Sequence, residues 1–115
     1  MEDKLICLAV PAEGEAGFYV IENTLAAMQE AVGGLIETVQ FAEDACIICN
    51  GEWRLLELPP NKAMRRFGDF VGDCLIVGVD GENFCSLRPG QFQILQGTIL
   101  GYLVKQKERG EACED

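Results

Sequence analysis

The sequence predicts an α+β fold: a single domain with a mostly antiparallel sheet and two to three helices packed on it. Three observations carry this. Short β-branched and apolar runs alternate with turn signals at hairpin spacing. One clean amphipathic helix interrupts them near the N-terminal quarter. The helices are not interleaved strand by strand, as they would be in a parallel α/β fold. With 115 residues, 49% of them hydrophobic, the chain is too apolar for a disordered acidic segment. A chain of this length buries roughly two-thirds of its unfolded surface, enough for one core. The domain is expected over residues 1–109, with 110–115 as a frayed acidic tail.

The elements follow in order. Lys4–Val10 is an apolar run that suits a buried strand, and Pro11 to Gly17 supplies turn residues. Phe18–Ile21 then pairs back as the second arm of a hairpin. Asn23 offers a side-chain cap to a helix from Thr24 to Val32, whose Leu25, Met28 and Val32 share one face. Gly33-Gly34 ends it. Leu35–Phe41 alternates as a strand, except that Glu37 falls on the apolar parity with Leu35, Val39 and Phe41. Ala45–Cys49 is a second strand. Asn50-Gly51 signals a hairpin, and Trp53–Leu58 is expected to return as the third strand of a meander.

Pro59-Pro60 breaks the sheet, and Asn61 is placed to cap a short helix running to Val71, weakened by Gly68. Cys74–Val79 is a continuous apolar stretch and the expected central strand. Phe84–Leu87 pairs back across the Asp80–Asn83 turn. Phe92, Leu95, Ile99 and Leu103 then recur at helical spacing from Gln91 to about Lys107. The helices are expected to cover one face of the sheet.

The charge narrows the function classes. The net charge is −10, with no histidine. Residues 1–60 set two bases against eleven acids, whereas residues 61–115 set seven against eight. Direct nucleic-acid binding needs phosphate-neutralising bases and is not expected. The apolar runs fall far short of the ~20 residues of a membrane span, and acids precede Leu5 where a signal peptide would carry bases. A cytoplasmic protein is therefore expected. The acids Glu13, Glu15, Glu37, Glu43 and Asp44, in loops and on strand edges, are candidates for a face that meets a basic protein partner.

Six cysteines are present: Cys7, Cys46, Cys49, Cys74, Cys85 and Cys113. Cys46 and Cys49 have CxxC spacing, but they sit in an unbroken strand-like run. Residues three apart on a strand point to opposite faces, so the sulfurs should diverge into core positions. No second CxxC and no histidine complete a zinc site. No cofactor is expected.

Catalytic signatures are missing too. Without histidine there is no Ser-His-Asp or Cys-His arrangement. Thr24 and Thr38 are the only hydroxyl side chains of Ser or Thr type before Ser86, and neither neighbours a base in sequence. The paired glycines lack phosphate-loop spacing. Asp69 and Asp73 are four apart and would share a helical face if the helix continued through Gly72. A non-enzyme is expected. One cluster stands out against the acidic background: Lys62, Arg65 and Arg66 follow Pro59-Pro60-Asn61, and on a helix could hold a phosphate or carboxylate.

Three blocks together resemble an uncharacterised family. They are Asn23–Glu37 (NTLAAMQEAVGGLIE), Leu58–Met64 (LPPNKAM) and Gly72–Gly81 (GDCLIVGVDG). Their order and spacing, from about residue 4 to residue 87, are similar to small proteins of Gram-positive bacteria, their phages and plasmids that carry only a domain-of-unknown-function label. Lys62 matches the usually basic position after Leu-Pro-Pro-Asn. The part after Leu87 departs from the family's short acidic helix. The resemblance implies a mobile-genetic-element setting and no activity.

Two functions are therefore weighed. The first is a small acidic binding protein that inhibits a host nucleic-acid-targeting defence protein, of anti-CRISPR or anti-restriction type. The alternative is capture of a phosphorylated ligand or signalling nucleotide by Lys62, Arg65 and Arg66.

Overall fold

A computed structural model describes residues 3–53 and 55–95. The chain opens with a hairpin of β1 (Lys4–Val10) and β2 (Gly17–Glu22), joined in register from Lys4 opposite Glu22 to Ala9 opposite Gly17. Helix α1 (Leu25–Val32) follows, then β3 (Ile36–Ala42) and β4 (Ala45–Asn50). A long connection contains one 3₁₀ turn at Lys62–Met64. The chain then forms β5 (Cys74–Asp80), β6 (Asn83–Cys85) and α2 (Pro89–Leu95). The sheet is antiparallel throughout, in the order β2-β1-β5-β4-β3, with β6 also paired to β5. The fold is α+β, as expected.

β5 is central because both its parities are apolar, and so are those of β4. Every residue of β4 is buried, as are Cys74–Gly78 of β5. A strand tolerates this only where both sheet faces are covered. One face packs Leu5, Cys7, Cys46, Ile48, Leu75 and Val77 against Met28 and Val32 of α1. The other packs Leu8, Val10, Ile47, Cys49, Cys74 and Ile76 against Ala63, Met64, Leu87 and Leu95. The expected one-sided covering is thus corrected: α1 lies on one face, and the long connection with α2 lies on the other.

Helix α1 starts one residue later than expected. Thr24, not Asn23, is the cap, and its Oγ1 accepts from the Ala27 amide at 3.1 Å. Gly33 ends the helix with φ of 84°, and its amide and that of Gly34 both reach the Gln29 carbonyl. Cys46 and Cys49 enter opposite cores, as the strand periodicity requires.

Two strand or helix assignments fail for a shared reason: an asparagine side chain donates across the fold to a distant carbonyl. After Asn50, residues 51–53 and 55–57 form turns, not a third meander strand. Asn50 is 1% exposed; its Nδ2 donates to the Val32 carbonyl at 3.1 Å, and its Oδ1 accepts from the Glu52 amide at 2.7 Å. The Asn-Gly turn therefore closes on the end of α1, and β5 takes the place beside β4. The helix expected from Asn61 to Val71 is likewise only the 3₁₀ turn. Asn61 caps nothing; its Nδ2 donates to the carbonyls of Val10 (2.8 Å) and Gly72 (2.9 Å). The Asn61 amide meets Phe70 O, Gly72 N meets Pro59 O, and Pro60 bridges Val71, so residues 59–72 close into a loop. Gly68, at φ of 143°, and Gly72, at φ of 76°, supply the reversals.

Helix α2 begins at Pro89, ahead of the expected Gln91, consistent with the preference of proline for a first helical turn. Its expected continuation to Lys107, and the tail 110–115, lie outside the described residues.

Candidate functional site

The closed loop 59–72 does not seal its side of the sheet. Between it and the β3 edge lies a cleft of about 190 Å³. β3 contributes Glu37 and Val39, β4 contributes Cys49 and Asn50, Trp53 comes from the turn after β4, and Phe67–Val71 form the opposite wall. Glu37 pairs with Cys49 in the β3–β4 ladder, so both side chains rise on the loop-covered face. The carboxylate that broke the alternation of β3 thus stands at the edge of the apolar core, beside the cleft. The Phe67 ring meets Phe41 of β3 with centroids 5.0 Å apart and planes at 56°. This contact links the loop to the strand.

The cleft is acidic and aromatic. Glu37 of β3 and Asp69 of loop 59–72 both line it, with Trp53, Phe67 and Phe70 among its aromatic residues. No lysine or arginine lines it among the described residues. The salt bridges Lys4–Glu22, at 3.7 Å, and Arg88–Asp44, at 3.9 Å, involve neither Glu37 nor Asp69. Burial pushes the Cys49 thiol above its ordinary value, and the nearby Glu37 charge pushes it the same way. Both effects favour the neutral thiol over the thiolate at Cys49.

A second hollow of about 250 Å³ shares Gly68–Val71 with the cleft and adds Pro60, Asn61 and Arg65. Asn61 is 3% exposed, and its Oδ1 has no hydrogen-bond partner. Beneath, Cys74 is raised to about 12, chiefly by burial, with smaller upward contributions from Cys49 and Asp73 and an opposing one from the Asn61 amide.

The sequence-derived site residues are only partly brought together. Glu13 and Glu15 lie in the β1–β2 loop, at the sheet end where Val10 pairs with Cys74. Glu43 and Asp44 occupy the β3–β4 turn at the other end, and Asp44 is engaged by Arg88 and, through its carbonyl, by the Gln91 side chain. Those acids do not share one face with Glu37. Lys62, Arg65 and Arg66 are all exposed, but the 3₁₀ turn ends at Met64, so Lys62 and Arg66 are not successive turns of one helix. Of the three, Arg65 alone lines a hollow described above, one that Asp69 also lines. Asp69 and Asp73 are separated by the Gly72 reversal, and Asp73 instead accepts from the Ala12 amide at 2.9 Å.

Sequence reasoning missed Trp53, Phe67, Asp69 and Phe70 as one group. The signal that marks the place was the misplaced parity of Glu37. No helix among the described residues is long and apolar enough to cross a membrane. No curated protein and no solved structure matches the chain. A family model does match, over residues 7–100, which takes in the cleft and every core residue described above except Leu5: the chain belongs to the family described as Domain of unknown function (DUF3846).

Proposed function

We propose that this chain is a small, acidic, non-enzymatic binding protein whose partner is a protein with a basic surface. The observation that carries the reading is the cleft between β3 and loop 59–72, lined by Glu37 and Asp69 with no base among its described lining residues. At about 190 Å³ it is smaller than the ~300–1,000 Å³ of sites that enclose a whole small molecule. That size favours a side chain of a larger partner over a free metabolite. Capture of a phosphorylated ligand has less behind it, because Arg65 is the one member of the basic cluster lining either hollow, and it does so alongside Asp69.

The finer reading is inhibition of a host nucleic-acid-targeting defence protein, of anti-CRISPR or anti-restriction type, in the cytoplasm and in the setting of a mobile genetic element. Two considerations support it. The blocks around Asn23–Glu37, Leu58–Met64 and Gly72–Gly81 resemble proteins of phages and plasmids of Gram-positive bacteria. Proteins that grip nucleic acid present basic grooves, and a net charge of −10 is complementary to them.

The test is association with a purified RNA-guided nuclease or restriction endonuclease, followed as ionic strength rises from about 50 to about 500 mM. The reading expects binding that weakens steeply with salt and is competed by DNA. Glu37→Gln with Asp69→Asn should weaken it further without altering the melting temperature, since both residues are exposed. Salt-independent binding, or binding unchanged in the double variant, would refute the role of the cleft.

A further inference from the structure

We propose that the cleft is a receptor for one guanidinium group, an arginine side chain presented by the partner, seated between the Phe67–Phe70 wall and Trp53 and held by Glu37 and Asp69. The inference deepens the basic-partner reading and rests on it for the source of the arginine, but the site is testable alone.

Three features point to a planar organic cation. The walls combine flat aromatic faces with carboxylates, the pairing that attracts a cation through both ring quadrupole and charge. The two acids approach from β3 and from the loop, so one flat group with donors on several edges can engage both. The site is partly apolar, with Val39, Val71 and the protonated Cys49 among its walls. Guanidinium is more weakly hydrated than an ammonium and stacks on rings, so it suffers less on leaving water for such a site.

The experiment uses the full chain and small probes. Trp53 is the single tryptophan, so its fluorescence reports on the cleft directly. The probes are N-acetyl-arginine amide, its lysine counterpart, and the neutral citrulline counterpart, at constant ionic strength. The arginine amide should give a saturable change with half-maximum on the order of 1–10 mM, as expected for one side chain without its partner. Citrulline should give none, and lysine should bind several-fold more weakly.

Glu37→Gln and Asp69→Asn each remove one charge and should weaken arginine binding about tenfold. Arg65→Ala removes the base that lines the second hollow and should strengthen binding. Unchanged melting temperatures would show that the variants fold. Equal responses to lysine and arginine would overturn the guanidinium assignment. An unsaturated, linear response to all three probes would overturn the receptor itself. Arginine binding without any basic protein partner would keep the site and reject the partner reading. Salt-sensitive association with a basic protein that survives in variants unable to bind arginine would keep the partner reading and reject the site.

Discussion

Asn61 should be the single most consequential polar side chain of the fold. Its Nδ2 joins the end of β1 to the end of loop 59–72, through the Val10 and Gly72 carbonyls. Asn61→Ala takes the Nδ2 donor from both buried acceptors, leaving Gly72 O only the long contact from Cys74 Sγ at 3.8 Å, at about 1–3 kcal/mol each. It also removes Oδ1, which has no partner, and so recovers about 1 kcal/mol of existing desolvation penalty. The expected loss is therefore about 1–5 kcal/mol, against the ~5–15 kcal/mol of a typical domain. Urea denaturation would read this as a midpoint lowered by about 1–2 M at unchanged slope.

Asn61→Asp separates the hydrogen-bond account from simple packing. A carboxylate nearly preserves the shape but turns both donors into an acceptor facing two carbonyls, so at neutral pH it should be worse than alanine. Burial raises its folded pKa above the unfolded value of ~3.9. Its penalty is therefore absent below the unfolded pKa and complete once pH exceeds the folded one. The aspartate variant should gain on the alanine variant as pH falls. An alanine variant within about 1 kcal/mol of wild type, or an aspartate variant no worse than alanine at pH 7, would refute this reasoning.

Other predictions follow from close contacts and buried thiols. A methyl group on Gly78 would lie 2.7 Å from the Ser86 carbonyl oxygen and 2.9 Å from Cys85 Sγ. Gly78→Ala should thus displace β6 and cost about 1–3 kcal/mol, whereas Gly90→Ala, which meets nothing within 4 Å, should be neutral or slightly stabilising in thermal melts. Thr24→Ala removes the bond to the Ala27 amide and should cost about 0.5–2 kcal/mol by denaturant titration. Burial raises Cys7 and Cys46 to about 11 and Cys74 to about 12. Because the folded values lie above the unfolded ones, this contribution is fully present below about pH 9 and lost as pH rises toward 11–12. The melting temperature should fall across that window, and a Cys74→Val variant should fall less. At pH 8 these three thiols should react with a disulfide reagent only on unfolding.

The limits of sequence reading are clearest at the two buried asparagines. Asn50-Gly51 has the local chemistry of a hairpin turn, and Asn61 after two prolines has that of a helix cap. Both expectations treat the side chain as serving its own neighbours. In the fold, Asn50 reaches 18 residues back to Val32, and Asn61 reaches 51 residues back to Val10. No local pattern encodes such a partner. The candidate cleft was hidden for the same reason: Glu37, Trp53 and Asp69 are far apart in sequence, and only the β3 register and the closure of loop 59–72 bring them to one opening.

What the sequence determined by itself was local. The hydrophobic periodicity of Lys4–Val10 and Cys74–Val79, the amphipathic face of Leu25, Met28 and Val32, and the Gly33 stop fixed most of the strands and the first helix. Strand periodicity also sent Cys46 and Cys49 to opposite faces. These follow because side-chain direction repeats every two residues on a strand and every 3.6 on a helix. Tertiary structure alone decided that β5, not the segment after Gly51, lies beside β4. It also decided that loop 59–72 covers the second face, and that the acids of the first half divide between two ends of the sheet. Each of these choices depends on which distant surface completes a core or satisfies a buried polar group, and that balance exists only once the chain has closed on itself.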